Sequence, residues 1–357
     1  MSVMRVIIVL SWLFAALTAL AAPPLFQSNE TIALTIEAPM RDLIAGRLKK
    51  PEYDATVSYV DEAGTVVSVP ARIKTRGNHR LATCDFPPLR LEFDEESAAG
   101  TLFEGQAKVK VVTRCDRGAG YSDWLLQEHG IYRGFNAITG YSYRVRMLDV
   151  TYQDVESKRW NRQSAAFFIE SDEAVAARHG YRSIRPPNVR PDQFDEVQLM
   201  NTILYQYLIG NTDFAVLKGP SGEGCCHNGR VIGPIGADQG WIIIPYDFDQ
   251  AGIISTDYAL PDQRLRIRNV RTRLYRGFCW NNAELPAAVE HFNSNREAIE
   301  AALIPDDLSS SRKKRIRRYI DDFYETINDP EELQEEILDK CRGAASFEIR
   351  KTTSAGQ

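Results

Sequence analysis

Three short segments in the second half of the chain carry acidic and amide side chains that suit a cation-binding site. Asp213 ends the run Gly-Asn-Thr-Asp, Asn228 follows a histidine, and Asp247 and Asp249 belong to the run Ile-Pro-Tyr-Asp-Phe-Asp. Two carboxylates and an amide that converge can hold a hard divalent cation through oxygen ligands. They can also position a hydroxyl nucleophile. Phosphoryl transfer needs these two functions, because its catalysis is mainly positioning and charge neutralisation.

Each of these residues also has a purely structural interpretation. Asn-Thr-Asp is ordinary turn chemistry, in which Asx side chains bond to nearby backbone groups. Asp247 and Asp249 would equally suit the capping of a loop or the pairing of arginines. The order of an aspartate, an asparagine and an aspartate that leaves a buried strand is more specific than any one of these residues, and it supports the chemical hypothesis.

A basic turn in the first third of the chain complements the acidic segments. Arg72 to Arg80 reads Arg-Ile-Lys-Thr-Arg-Gly-Asn-His-Arg, and such a turn can present backbone N–H groups and cations to phosphates. An exposed hairpin with a Gly-Asn corner would have the same pattern. We expect Glu128, on a following helix, to orient one nucleotide-binding cation as an ion pair. The pattern does not choose among the candidates, which are Lys74, Arg76, Arg90 and Lys110.

The elements that must position these residues differ between the two halves of the chain. The first part is rich in strands, which alternate apolar and polar residues or contain β-branched runs. We expect them to form one antiparallel sheet, with one helix from Ser122 to Tyr132. The predicted strands are Thr31 to Glu37, Ala55 to Val60, Thr65 to Lys74, Leu89 to Phe93, Lys108 to Thr113, Tyr143 to Thr151 and Ala165 to Glu170.

From Gln193 onwards the pattern favours helices. Apolar residues recur at three-to-four spacing from Phe194 to Leu208, which predicts a helix with one broad apolar stripe that Gly210 ends. Trp241 to Pro245 is a short apolar strand that leads into the acidic run. Two further helical regions span about 284–303 and 309–338, the second interrupted near Asn328. This layout predicts an α+β fold.

Composition excludes several classes of protein. Of 357 residues, 44% are hydrophobic and 25% are charged, which is typical of a globular chain. The formal net charge of −5 lacks the basic excess of a dedicated nucleic-acid binder. The five histidines have no His-x-x-x-His spacing, and no Gly-x-Ser-x-Gly turn occurs, so a zinc protease and an α/β-hydrolase are disfavoured.

The first residues have the pattern of a secretory signal peptide, predicted to span 1–21. Arg5 supplies the positive charge, an apolar run follows, and Ala19 and Ala21 fit the cleavage site. We therefore expect export to a periplasmic or extracellular location, with no transmembrane span after cleavage. The six cysteines favour disulfides in such a compartment. We expect the neighbours Cys225 and Cys226 each to pair with a distant partner.

Six arginines lie between Arg264 and Arg276. On one face they could bind an acidic or phosphorylated substrate through charge-assisted bonds. A structural rim paired with acidic side chains is at least as consistent with a chain of this charge.

The combination of Lys-Thr-Arg-Gly-Asn from Lys74, Gly-Asn-Thr-Asp and Ile-Pro-Tyr-Asp-Phe-Asp resembles the spore-coat-protein-H-like (CotH-like) family of secreted atypical protein kinases. The similarity runs from about Val69 to Leu303. It implies a two-lobed, divergent protein-kinase-like fold, with ATP and Mg²⁺ or Mn²⁺ bound between the lobes. It also implies transfer of the γ-phosphoryl group to serine or threonine hydroxyls of proteins.

The resemblance assigns roles to four residues. Asp213 matches the catalytic acid that accepts the hydroxyl proton, and Asn228 matches the second metal ligand. Asp247 matches the acid that bridges the metal to the phosphates, and Asp249 matches a supporting metal-shell carboxylate. The implied domains are a strand-rich N-lobe over 22–175, a helix-rich C-lobe over 176–342 and a polar tail over 343–357.

Two departures from the family pattern leave alternatives open. A Gly- and Cys-rich insertion separates Asp213 from Asn228, and Glu92 stands where members often have a lysine. The first alternative is a non-catalytic envelope protein that binds or assembles through the same fold. The second is a metal-dependent phosphohydrolase that uses the same acids.

Overall fold

The computed structural model describes residues 24–343 except 221 and 223. The predicted signal peptide and nearly all of the predicted polar tail lie outside the described residues. Within the described range there are ten strands. They are β1 (Ile32–Ala38), β2 (Glu52–Val60), β3 (Val66–Thr75), β4 (Leu89–Phe93), β5 (Lys108–Thr113), β6 (Val145–Asp154), β7 (Arg162–Ile169), β8 (Tyr181–Ile184), β9 (Gly229–Pro234) and β10 (Ile242–Pro245).

The same residues form ten α-helices, and six of them follow β7 in the sequence. They are α1 (Met40–Ala45), α2 (His79–Thr83), α3 (Glu95–Ala98), α4 (Ala119–Ile138), α5 (Asp172–Arg178), α6 (Glu196–Leu208), α7 (Leu285–Ser294), α8 (Arg296–Leu303), α9 (Ser310–Asn328) and α10 (Pro330–Leu333). None of the helices in the described part of the chain combines the length and the apolar composition that crossing a membrane requires.

The first seven strands close into a barrel in the order β1-β2-β3-β4-β5-β7-β6. Closure comes from β1, which pairs in parallel with β6 from Ile32 opposite Leu148 to Ala38 opposite Asp154. The remaining neighbours are antiparallel, so the sheet is mixed. Alternate residues of β1 point inward and are buried, as the two-residue period of a strand requires.

This barrel corrects the predicted fold. The α+β class holds, but the two-lobed protein-kinase-like fold is wrong, because the strand-rich part is a closed seven-stranded barrel. The expectation of a purely antiparallel sheet is wrong for the same reason, since β1 and β6 run parallel. The predicted boundary at residue 175 falls inside α5.

Two apolar cores lie on opposite faces of the same strands. The barrel interior is filled by residues such as Val111, Ala166 and Phe168. The outward residues Val112 and Phe167 belong to a second core shared with α4, α6 and the C-terminal helices. Because β7 is buried on both faces, its last four residues are apolar throughout, as expected of a doubly covered strand.

Helices α4 and α6 contribute many of the buried side chains of the second core. α4 packs closely on α8, and a Cβ at Gly130 would lie 2.4 Å from the carbonyl oxygen of Ala302. α6 is buried on all sides from Leu199 to Leu208, more completely than the predicted single stripe. β8, β9 and β10 form a small antiparallel sheet beside α6, of which only β10 had been expected.

Closure of the barrel by β1 should contribute to the free energy of unfolding. Ile36 of β1 is fully buried in the barrel interior, whereas Glu37 next to it is exposed. We predict that Ile36→Ala lowers the free energy of unfolding by about 2–5 kcal/mol, because it leaves a cavity. Glu37→Ala, the control, should change it by less than about 0.5 kcal/mol. Urea unfolding measures both, and equal effects would contradict a filled barrel.

Candidate functional site

Most of the residues predicted to do chemistry line one cleft of about 300 Å³. The cleft lies where the turn between β3 and α2 faces the loops that follow α6 and β10. Gly77, Asn78, His79 and Arg80 of the basic turn form one wall. The predicted site residues that line the cleft are Arg76, Glu128, Asp213, Asn228, Asp247 and Asp249.

Three predicted nucleotide-binding cations lie outside this cleft. Lys74 and Arg90 are opposite each other on β3 and β4, on the outward face of the barrel. There Lys74 Nζ is 2.6 Å from Glu52 Oε2, and an Arg90 guanidinium nitrogen is 2.5 Å from Glu92 Oε1. Lys110 lines a neighbouring cavity instead. The two-residue period of the strands therefore removes Lys74 and Arg90 from the cleft.

Asp213 is held in place by three side chains. Its Oδ1 accepts a hydrogen bond from His227 Nε2 at 2.9 Å. Its Oδ2 accepts from Asn228 Nδ2 at 2.9 Å and from Gln250 Nε2 at 3.0 Å. A carboxylate has about four acceptor positions, so three bonds orient it and leave one position for a donor from a bound molecule.

Asn228 is oriented by the same contact. Its Nδ2 also donates to the main-chain oxygen of Asp213 at 2.8 Å, and its backbone has a φ of 47°. Because the amide nitrogen is used in this way, the amide oxygen is the atom that Asn228 would offer to a cation.

Asp247 presents its carboxylate to the cleft, and its side chain is 43% exposed. It follows β10 directly, with a φ of 64°, and its backbone N–H donates to the Tyr132 hydroxyl at 3.1 Å. Its surroundings raise the pKa of this carboxyl, first through removal of water and then through the negative charge of Asp249, with a smaller contribution from Asp213, while Arg80 and Arg76 oppose the rise. A bound cation would favour the ionised carboxylate.

A buried cation, Arg80, ties the walls of the cleft together. Its Nε donates to Asp249 Oδ2 at 2.8 Å, and a terminal nitrogen donates to Glu128 Oε2 at 2.6 Å. Asp247 Oδ1 lies 3.8 Å away. Arg80 thus joins α2, α4 and the loop after β10. Glu128 was expected to orient a cation, and the cation that it pairs with is Arg80, at the end of the predicted basic turn.

Burial of this cluster shifts the pKa of Glu128 upwards. Loss of water, together with the charges of Asp249 and Asp247, raises the pKa to about 7 in spite of the opposing charge of Arg80. One arginine therefore faces three acidic groups. Asp249 is hydrogen-bonded to Arg80, whereas Asp247 is farther from it and faces the cleft.

The arginine-rich segment has a role that the sequence did not reveal. An Arg276 nitrogen donates to the Phe214 carbonyl at 2.6 Å and also to the Thr212 carbonyl, so it holds both sides of Asp213. Arg273 donates to the Leu208 carbonyl at the end of α6. These guanidiniums face inward, and the interpretation of all six arginines as one substrate-binding face is wrong.

The six cysteines form three disulfides. Cys84–Cys115 joins the end of α2 to the segment after β5, and Cys279–Cys341 ties the C-terminal segment to the segment before α7. Cys225 pairs with Cys226, which corrects the expectation of distant partners. Cys226 lies in the wall of the cleft beside His227 and Asn228.

Asp247 and Asn228 are the residues of the cleft that could hold a cation together with a phosphate. Among residues 24–343, apart from 221 and 223, no group of three or more His, Cys, Asp or Glu side chains is arranged as a metal site. Mg²⁺ is commonly bound by one or two carboxylates together with substrate phosphates and water. Asp247 and Asn228 supply oxygen ligands of that kind, whereas the oxygens of Asp213 and one oxygen of Asp249 are already hydrogen-bonded.

Comparisons with protein-family models, with curated proteins and with solved structures found no match. The resemblance to the CotH-like family therefore stays a prediction.

The raised pKa of Glu128 predicts a pH dependence. A carboxyl whose pKa is near 7 when folded and 4.5 when unfolded stabilises the protein fully below pH 4.5, and this contribution is lost as the pH rises through 7. Glu128→Gln should remove it. We expect the unfolding free energy of the wild type, relative to Glu128→Gln, to fall between pH 5 and 7 by up to about 1.4 kcal/mol per pH unit.

Glu92→Gln is the control for this measurement. Although burial raises the pKa of Glu92, the hydrogen bond from Lys74 and the charge of Arg90 lower it overall. Its contribution should therefore stay constant between pH 5 and 7. Urea unfolding at a series of pH values measures both variants, and a pH-independent difference for Glu128→Gln would refute the prediction.

The backbone between the end of α6 and Asp213 requires glycine at position 210. Gly210 has a φ of 62°, and a Cβ there would lie 1.9 Å from the Tyr319 hydroxyl, which donates to the Arg271 carbonyl. Gly180 has a φ of 66° with no atom near the Cβ position. We predict that Gly180→Ala costs about 1 kcal/mol and that Gly210→Ala costs about 1–3 kcal/mol more. Thermal unfolding tests this, and equal losses would contradict it.

Proposed function

We propose that this protein transfers the γ-phosphoryl group of ATP to serine or threonine hydroxyls of proteins, with Mg²⁺ or Mn²⁺. The observation that carries the proposal is the meeting, in one cleft, of an oriented carboxylate at Asp213 and an exposed carboxylate at Asp247 opposite the basic turn at Arg76. Phosphoryl transfer needs positioning and charge neutralisation more than any covalent step by the protein.

The phosphates of the donor would bind at the basic wall. The guanidinium of Arg76 donates to the Tyr246 hydroxyl and lies 5.9 Å from the centre of that ring. Arg230 lines the same cleft and lies 5.2 Å from the same ring centre. Gly77 has a φ of 89°, a conformation in which backbone N–H groups can bind a phosphate.

Asp213 would orient the acceptor through its remaining acceptor position. The acceptor hydroxyl oxygen forms the new bond to the γ-phosphorus, and the bond from that phosphorus to the bridging oxygen breaks. ADP leaves with the electron pair, and the hydroxyl proton passes to Asp213. His227, Asn228 and Gln250 keep the carboxylate aimed during this step, which saves the cost of orienting it during the reaction.

A divalent cation, when bound, supplies charge neutralisation for the phosphates. The residues that would hold it are Asp247, through its carboxylate, and Asn228, through its amide oxygen. Asp249 would act behind them, because it is buried and bonded to Arg80. These roles do not require the fold of protein kinases, since one chemistry recurs on unrelated folds.

We also propose that the protein is exported and acts in a periplasmic or extracellular compartment. Disulfides persist in such oxidising environments, and Cys84–Cys115 and Cys279–Cys341 join distant parts of the described chain. Its protein substrates would be encountered in the same compartment.

Incubation of the purified protein with γ-labelled ATP and Mn²⁺ tests the function. We expect label on the protein itself or on a generic protein substrate. Asp213→Ala and Asp247→Ala should lower the rate at least about 100-fold, the usual size of such a contribution. Asp238→Ala, an exposed aspartate outside the cleft, should change the rate less than twofold.

Other outcomes would contradict the proposal in distinguishable ways. Thermal stabilisation by ATP and Mn²⁺ without transfer of label would indicate a binding protein. Release of free phosphate without protein labelling, abolished by Asp247→Ala, would indicate a hydrolase. Circular dichroism of each variant shows whether it is folded.

A further inference from the structure

A second cavity of about 570 Å³ adjoins the cleft. Arg230 and Cys226 line both, so they form a shared wall. The second cavity lies between the middle of β5, the end of β8 and the start of β9. Its charged lining residues are Lys110, Arg185, Arg230 and Asp172, three cations and one acid.

The cations are fixed in position but not neutralised. Asp172 is buried, and its two oxygens lie 3.1 Å from Lys110 Nζ and 3.5 Å from Arg230 Nε. One carboxylate therefore serves two cations. Lys110 Nζ also lies 4.6 Å from the centre of the Tyr246 ring, the ring that Arg230 and Arg76 approach from the cleft side. The positive charge along this wall exceeds what Asp172 compensates.

Arg185 extends the positive charge to the mouth of the cavity. Its side chain is 78% exposed, and its ion pair with Glu173 is 4.0 Å long between two exposed groups. Such a pair is worth little. Arg185 is therefore available to an anionic group that approaches from solvent.

The rest of the lining is apolar or backbone. Ile184, Pro186, Pro187 and Val231 line the cavity together with the Cys225–Cys226 disulfide. Prolines and a disulfide have little side-chain freedom to lose on binding. An extended peptide can place its backbone along such a surface while its side chains reach the cations.

We infer that this cavity binds an acidic segment of the protein that accepts the phosphoryl group. The binding of an acidic peptide does not depend on the proposed function, but the role of that peptide as the phosphoryl acceptor does. Carboxylates of the segment pair with Lys110 and Arg185, the two cations that line this cavity and not the cleft. Because Arg230 and Cys226 are shared with the cleft, a serine or threonine a few residues along the segment reaches Asp213.

Equilibrium binding of two synthetic peptides to the full chain, without nucleotide or metal, tests the inference. One fluorescein-labelled peptide has glutamates flanking a single serine, and the other has glutamines in their place. Fluorescence anisotropy should show at least tenfold tighter binding of the acidic peptide at low salt. The difference should shrink at high salt, because screening weakens exposed charge pairs.

Two arginines of one segment provide a matched pair of variants. Arg185 lines the cavity, whereas Arg182 is exposed on β8 and does not line it. Arg185→Gln should weaken binding of the acidic peptide about three- to tenfold. Arg182→Gln, which removes the same charge, should weaken it less than twofold. Equal effects of the two variants would overturn the inference, as would equal affinities for the two peptides.

A competition experiment shows whether the cations of the cavity bind the carboxylates of the peptide or the phosphates of ATP. If ATP with Mn²⁺ displaces the acidic peptide, the cations belong to the donor phosphates and the inference is wrong. If both bind together, the acceptor subsite is supported. Peptide binding that behaves as predicted in a protein that transfers no label would refute the proposed function while leaving the binding site intact. Label transfer with no preference for the acidic peptide would refute the binding site alone.

Discussion

The buried guanidinium of Arg80 is the contact on which the geometry of the cleft depends. It bonds to Glu128 on α4 and to Asp249 after β10, while its own helix continues the basic turn of the barrel. Buried charges are tolerated only when they are paired, and removing one partner is costly. Arg80 therefore fixes three separate segments relative to one another. With Asp249 committed to this pair, Asp247 is the acid that can meet a cation and a phosphate.

The acidic side of the site could be predicted from sequence for a local reason. Asp213 follows the end of a helix, and Asp247 follows the end of a buried strand. Both ends can be recognised in the sequence, because the run of apolar residues stops there. The basic side could not be predicted as well. Lys74 and Arg90 alternate to the outer face of the barrel and pair with Glu52 and Glu92. The alternation along each strand shows that these side chains face outward, but it does not show where the cleft lies relative to that face.

The barrel itself depends on contacts between distant parts of the chain. Each strand was recognisable alone, but closure requires β1 to pair with β6 in parallel from Ile32 to Ala38. No local pattern specifies that pairing. The predicted kinase-like fold is wrong at this point, and yet the cleft forms beside the barrel. The position of the site follows from the loops after α6 and β10 and from the turn after β3, which the barrel and the second core bring together.

Mn²⁺ binding measured by electron paramagnetic resonance tests the central claim most directly, because the signal of free Mn²⁺ falls as the ion is bound. The account predicts weak binding of Mn²⁺ alone and at least tenfold tighter binding in the presence of a non-hydrolysable ATP analogue, with this gain lost in Asp247→Asn. Mn²⁺ binding that is unchanged by the analogue, or a gain that survives in Asp247→Asn, would contradict a joint cation and phosphate site in this cleft.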